Sequence, residues 1–265
     1  MIPCRSARFF LAVAVMCLMG EVAVLALGAD KAPAEKAPTE DIGPHTVTIR
    51  QEVRVGEMTV VGTYKGWFGR EARFRIEGSL EVGPGQMKSD VVMASDGQTL
   101  RQVITTPLGA QFVVYDLKEL RAVIPEFDPA QGYSPTAYRT LLEQLARAGQ
   151  PQVETIGAEA VDVYTLGAAS LGMTPPPGLP VQVPDIRKVK VWATRDTRWP
   201  RKVEGYTVRE GQETCVMRVE FDNPVWQASI AEGVFRLEAP PGVVPIDGTA
   251  LIKAWFSKPA SKSGS

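Results

Sequence analysis

REARFRIEGSLEV, residues 70–82, alternates apolar and polar side chains along most of its length. Ala72, Phe74, Ile76, Leu80 and Val82 fall on one side, and Arg73, Arg75, Glu77, Ser79 and Glu81 on the other. Successive side chains of a strand point to opposite faces, so this period of two predicts a strand with one dry face and one wet face. The period continues in both directions. HTVTIRQEVRV (45–55) and MTVVGTYKGW (58–67) come before it, joined by Gly56-Glu57; QMKSDVVMAS (86–95), QTLRQVITT (98–106) and AQFVVYDL (110–117) come after. Asp96-Gly97 supplies the positive-φ residues of a tight turn, and six strands with short connections make an antiparallel meander.

The period then changes. DLKELRAVI (116–124) predicts a short helix ended by Pro125. Ser134 is a suitable N-cap with Pro135 at the first helical position, and the segment up to Gly149 carries an apolar stripe of Ala137, Leu141, Leu142, Leu145 and Ala148. Strands resume at PQVETIG (151–157), EAVDVYTLGA (159–168), DIRKVKVWATRD (185–196), PRKVEGYTVRE (200–210), QETCVMRVEFD (212–222) and GVFRLEAP (233–240), with a Pro-rich apolar loop at 171–184. Roughly ten strands against one or two helices predict a mainly β fold built on one curled antiparallel sheet.

With 265 residues, 45% hydrophobic and 22% charged, the composition is that of a globular protein, and a net charge of −1 offers no basic surplus for nucleic acid. Arg5 and Arg8 precede the apolar runs FFLAVAVMCLMG (9–20) and VAVLALGA (22–29), which reads residues 1–29 as a secretory signal peptide cut near Ala29. Glu21 interrupts the apolar stretch; an uncleaved inner-membrane anchor is the alternative. DKAPAEKAPTEDIGP (30–44) reads as a flexible Pro/Ala spacer, residues 45–256 as the folded domain, and SKPASKSGS (257–265) as a disordered tail. Cys4 and Cys17 lie in the leader, and the bulky Met16 before Cys17 is a poor match to a lipobox. Cys215 is then alone, so no internal disulfide is expected; on a strand face with Met217, Val219 and Phe221 it reads as a buried apolar side chain, a reactive thiol being the alternative. His45, the single histidine, sits at the domain's edge. No metal-ligand cluster, nucleophile elbow or phosphate loop is present in the sequence, so neither enzyme chemistry, metal nor cofactor is expected.

The dry face needs a cover. A helix of about fourteen residues is ~21 Å long, whereas ten strands at ~4.8 Å spacing span nearly 50 Å. Either the sheet covers itself or part of its concavity receives an apolar guest. The lining of such a cavity is predicted to comprise Val47, Ile49, Val53, Tyr64, Phe74, Ile76, Val91, Met93, Val191 and Val219, with Leu141, Leu142 and Leu145 facing them from a lid. Trp67, Trp192, Trp199 and Trp226 are placed at strand ends or edges.

Four stretches carry a resemblance. MASDGQTL (93–100) forms a hairpin with a central Asp-Gly, and FVVYDLKEL (112–120) leads from a strand into an apolar helical link. KVWATRDTRWPRKVEGY (190–206) is a strand, a turn with a late Pro and a second strand; EFDNP (220–224) precedes GVFRLEAPPGVVPID (233–247). Together they resemble the LolA-like family of bacterial periplasmic lipoprotein carriers and outer-membrane lipoprotein-sorting proteins. The resemblance implies an incomplete, half-open antiparallel β-barrel with a helical lid, monomeric and periplasmic, that shields the acyl chains of a lipid or lipoprotein in its concave cavity. The alternative on the same fold is an envelope regulatory or structural interaction domain with an envelope protein as its partner. Family members usually begin with a helix before the first strand; the Pro-rich residues 30–44 do not supply one, so the lid falls to helix 134–149, helped by 116–124 and the loop 171–184. Each methylene withdrawn from water is worth ~0.8 kcal/mol, so a chain of about sixteen carbons approaches 12 kcal/mol before ordering costs.

Overall fold

The computed structural model describes residues 43–83, 87–124, 127, 129–130, 133–134, 142, 146, 150–167 and 186–256. The meander is present as read: β1 (His45–Val55), β2 (Met58–Phe68), β3 (Arg73–Val82), β4 (Met87–Asp96), β5 (Thr99–Thr106) and β6 (Gly109–Asp116), followed by helix α1 (Leu117–Val123). After α1 come β7 (Gln152–Ile156), β8 (Glu159–Gly167), β9 (Lys188–Thr194), β10 (Pro200–Arg209), β11 (Gln212–Trp226), β12 (Pro245–Asp247) and helix α2 (Gly248–Phe256). All twelve strands form one sheet in the order β12-β6-β5-β4-β3-β2-β1-β11-β10-β9-β8-β7. The fold is mainly β and half-open: the order runs from β12 to β7 without closing, and every pairing is antiparallel except that of β12 with β6.

Local chemistry explains the elements. Asp96 Oδ1 accepts from the amides of Gln98 (3.0 Å) and Thr99 (2.7 Å) while Oδ2 takes Arg101 Nη1 at 2.9 Å, so the Asp-Gly pair is a turn device. Burial works against the charge on Asp96, but Arg101 and the two amides hold its carboxyl below the usual range. Asp116 caps α1 by accepting from Glu119 N at 2.9 Å, and its own amide donates to Thr249 Oγ1 of α2 at 2.8 Å, which ties the two helices together at the β6 end.

Several expectations are corrected. Ala72 is exposed in the turn before β3, where it and Glu71 take φ of 58° and 59°, the left-handed pair that lets a tight hairpin follow the sheet twist. The segment 233–240 is no strand. Glu232–Phe235 is a 3₁₀ turn, Phe235 is buried, and Arg75 Nη1 donates to the carbonyls of Val234 (3.2 Å) and Arg236 (2.9 Å), so a guanidinium on β3 takes the place of a ladder partner. The chain joins the sheet only at β12 and closes with α2, a helix that the alternating pattern did not predict. Cys215 lies on the face opposite Met217, because β10 pairs Gly205 with Met217 and the next residue, Tyr206, with Cys215, which bulges Val216 out of the ladder. His45 opens β1 but is only 1% exposed, stacked on Phe68 at 5.2 Å with Trp199 and Trp226 edge-on at 5.5 and 5.4 Å.

Candidate functional site

Cross-strand pairing lays the candidate lining out in transverse rows on one face of the sheet. One row runs Phe221–Ile49–Tyr64–Gly78–Val91–Ile104 from β11 to β5. A second runs Val191–Val203–Val219–Gln51–Gly62–Leu80 from β9 to β3. A third runs Val47–Gly66–Ile76–Met93–Gln102–Val113 from β1 to β6. Residues directly opposite on neighbouring strands share a face, so these rows make one continuous, largely apolar surface.

The structure brings the sequence-predicted residues together. Val47, Ile49, Tyr64, Phe74, Ile76, Val91, Met93, Val191 and Val219 belong to one buried cluster, and Val53 packs against it half-buried. Of the three leucines expected to form a lid, Leu142 is helical and lies in the same cluster; Leu141 and Leu145 fall outside the described residues, as does the loop 171–184. Tyr64 meets Tyr133 edge-on at 5.6 Å. Leu117 and Leu120 of α1 and Ile252 of α2 add to the cover at the β6 end. The nine clustered lining residues are between 0% and 3% exposed, so this face is shut off from water and a guest reaches it only if the cover moves.

Glycines shape the same surface. A Cβ on Gly62 would fall 2.2 Å from Tyr64 Oη, so the tyrosine ring lies back over the glycine along its own strand. A Cβ on Gly78 would fall 2.0 Å from the Thr63 carbonyl oxygen, leaving no room for any side chain there.

Two features escaped sequence reading. One is Gln102, a polar residue within the alternation Leu100-Gln102-Ile104 and 0% exposed; a single polar residue at an inward position was the available signal. The other is an ionic group on the opposite face, centred on Glu204, which is 4% exposed. Tyr206 donates to Glu204 Oε2, Arg218 Nε donates to Oε1 at 2.8 Å, and Lys202 Nζ stands 3.4 Å from Oε1. Burial opposes the charge on Glu204, yet the Tyr206 hydroxyl, Lys202 and Arg218 together keep its carboxyl below the usual range. Burial and the Glu204 carboxylate push the Tyr206 phenol up, and the same two influences raise the Cys215 thiol, whose Sγ donates to Met217 O at 3.3 Å. Nearby, Trp192 donates Nε1 to Glu154 Oε2 at 2.9 Å with Lys202 Nζ 3.7 Å above its ring.

Among the described residues no group of three His, Cys, Asp or Glu side chains is placed to hold a metal ion, and no helix is long and apolar enough to cross a membrane. No protein-family model matches the chain, and no curated protein matches it. Solved structures that match the chain include an uncharacterized conserved protein from Thermus thermophilus, at 8% identity and TM-score 0.39, covering 89% of this chain and 99% of that one. They also include a LolA superfamily protein from Nitrosomonas europaea, at 10% identity and TM-score 0.27, covering 82% and 97%. The Pseudomonas aeruginosa MucA/MucB complex matches at 16% identity and TM-score 0.32; 77% of this chain is covered, and the chain spans 58% of that one.

Proposed function

We propose that this protein is an exported, periplasmic lipid or lipoprotein carrier that shields acyl chains against the inner face of its sheet and performs no chemistry. In this reading residues 1–29 are a cleaved signal peptide, 30–44 a spacer, 45–256 a monomeric binding domain and 257–265 a tail. The observation that carries it is the union of an open sheet with one continuous, largely apolar face. An open sheet can change curvature and spread its rows, whereas a closed barrel of the same residues would be fixed by its own ladder. Helices α1 and α2, about 10 and 14 Å long, are short beside a twelve-strand sheet roughly 50 Å across. In this reading the cover is assembled from separate pieces that can part, and Leu141, Leu142 and Leu145 belong to the lid. The four sequence stretches that resemble the LolA-like family support the same reading.

The test is purification from the native envelope followed by solvent extraction and mass spectrometry. Acyl lipid is expected in near-stoichiometric amount. Protein that carries none, and that crosslinks in situ to an envelope protein, would replace the carrier with an interaction domain.

A further inference from the structure

Gln102 is the one polar member of the row Val47–Gly66–Ile76–Met93–Gln102–Val113. Its strand neighbours on the same face, Leu100 and Ile104, are 0% and 2% exposed, and Met93 and Val113 flank it across the sheet at 1% and 5%. The side chain is wholly buried, and neither its Oε1 nor its Nε2 has a hydrogen-bond partner among the described residues. A carboxamide can donate two hydrogen bonds and accept two. Burying it with none made is costly, and an apolar residue of the same size would pack this position better. Gln102 therefore does not serve the packing of this core.

We infer that Gln102 is the polar anchor of the binding face, recognising a long aliphatic chain whose polar end carries an O–H group. The inference rests on the carrier reading and sharpens it. The two unmet atoms lie side by side on one edge of the amide, one accepting and one donating. A protonated carboxyl offers the complementary edge, its O–H donating to Oε1 and its C=O accepting from Nε2. An alcohol engages both atoms through a single oxygen. A plain ester accepts from Nε2 but leaves Oε1 unmet. Burial raises the pKa of a carboxyl, which favours the protonated form this pairing needs. The unmet bonds also destabilise the empty closed state relative to the loaded one, so the anchor promotes uptake as well as selecting the guest.

Delipidated full-length protein and its Gln102→Leu variant are titrated with palmitic acid, 1-hexadecanol and methyl palmitate, following displacement of a fluorescent apolar dye. The wild type is expected to bind the acid or the alcohol at least tenfold more tightly than the ester; which of the two binds better identifies the source of the O–H. Gln102→Leu is expected to erase that preference while keeping its affinity for the ester, and to melt at or above the wild-type temperature when empty. Equal wild-type affinity for all three, a preference that survives in Gln102→Leu, or a variant that melts well below the wild type would each overturn the anchor while leaving the carrier intact. A wild type that binds none of the three would overturn the carrier reading and the anchor with it.

Discussion

Glu204 illustrates how a single residue is committed by its surroundings. A carboxylate that is 4% exposed is tolerated because Tyr206, Lys202 and Arg218 surround it. Its pKa in the folded protein lies below the usual glutamate value of 4.5, so the folded state binds its proton less tightly than the unfolded chain does. That contribution to stability is fully present above the unfolded pKa and is lost as pH falls through the folded one. The melting-temperature gap between the wild type and Glu204→Gln should therefore be widest near neutrality and narrow below about pH 4.5; a gap unchanged from pH 7 to pH 3 would refute the lowered pKa. The bulge at Val216 places Cys215 beside this group, and its raised pKa keeps it largely a thiol at neutral pH and hence a poor nucleophile.

At the scale of elements, the β2–β3 pair depends on a close approach. Gly78 stands opposite Tyr64, and any Cβ there would strike the backbone at Thr63, which cannot swing away as a side chain would. Gly78→Val should cost at least about 2 kcal/mol in urea unfolding, in the range of overpacked cores. Gly167, near the end of β8, has nothing within 4 Å of a built Cβ, and Gly167→Ala should stay within about 0.5 kcal/mol of the wild type. Equal effects at the two sites would refute the close approach. Helix α1 was legible because Asp116, the cap, precedes a run with apolar residues at Leu117 and Leu120. Helix α2 and the short β12 were not. Their placement comes from Thr249 bonding Asp116 N and from the approach of Gly248 to the Tyr115 ring, contacts between segments more than a hundred residues apart.

At the scale of the whole molecule, the proposed carrier role of the shut apolar face predicts a strong coupling between occupancy and stability. A guest bound only by the folded state stabilises it by about 2.7 kcal/mol at one hundred times its dissociation constant. For a domain of about 200 residues this corresponds to a melting temperature raised by roughly 5–10 °C. Delipidated protein reloaded with a saturating acyl ligand should show that rise in a thermal melt, and a flat response would remove the basis for the carrier.

The period of two decided by itself that this chain makes a sheet with one apolar face, and it placed most members of that face, because alternation is local and each side chain's side follows from its neighbour's. Val47, Ile49, Tyr64, Phe74, Ile76, Val91, Met93, Val191 and Val219 were legible for that reason, and they share one cluster. Where alternation breaks, the sequence is silent: the bulge that turns Cys215 to the other face is visible only against β10. Only the tertiary structure decided that β1 pairs β11, which joins the meander to the second half of the chain, and that the sheet ends at β12 and β7 without closing. Those outcomes depend on contacts between distant segments, whose geometry no local pattern encodes.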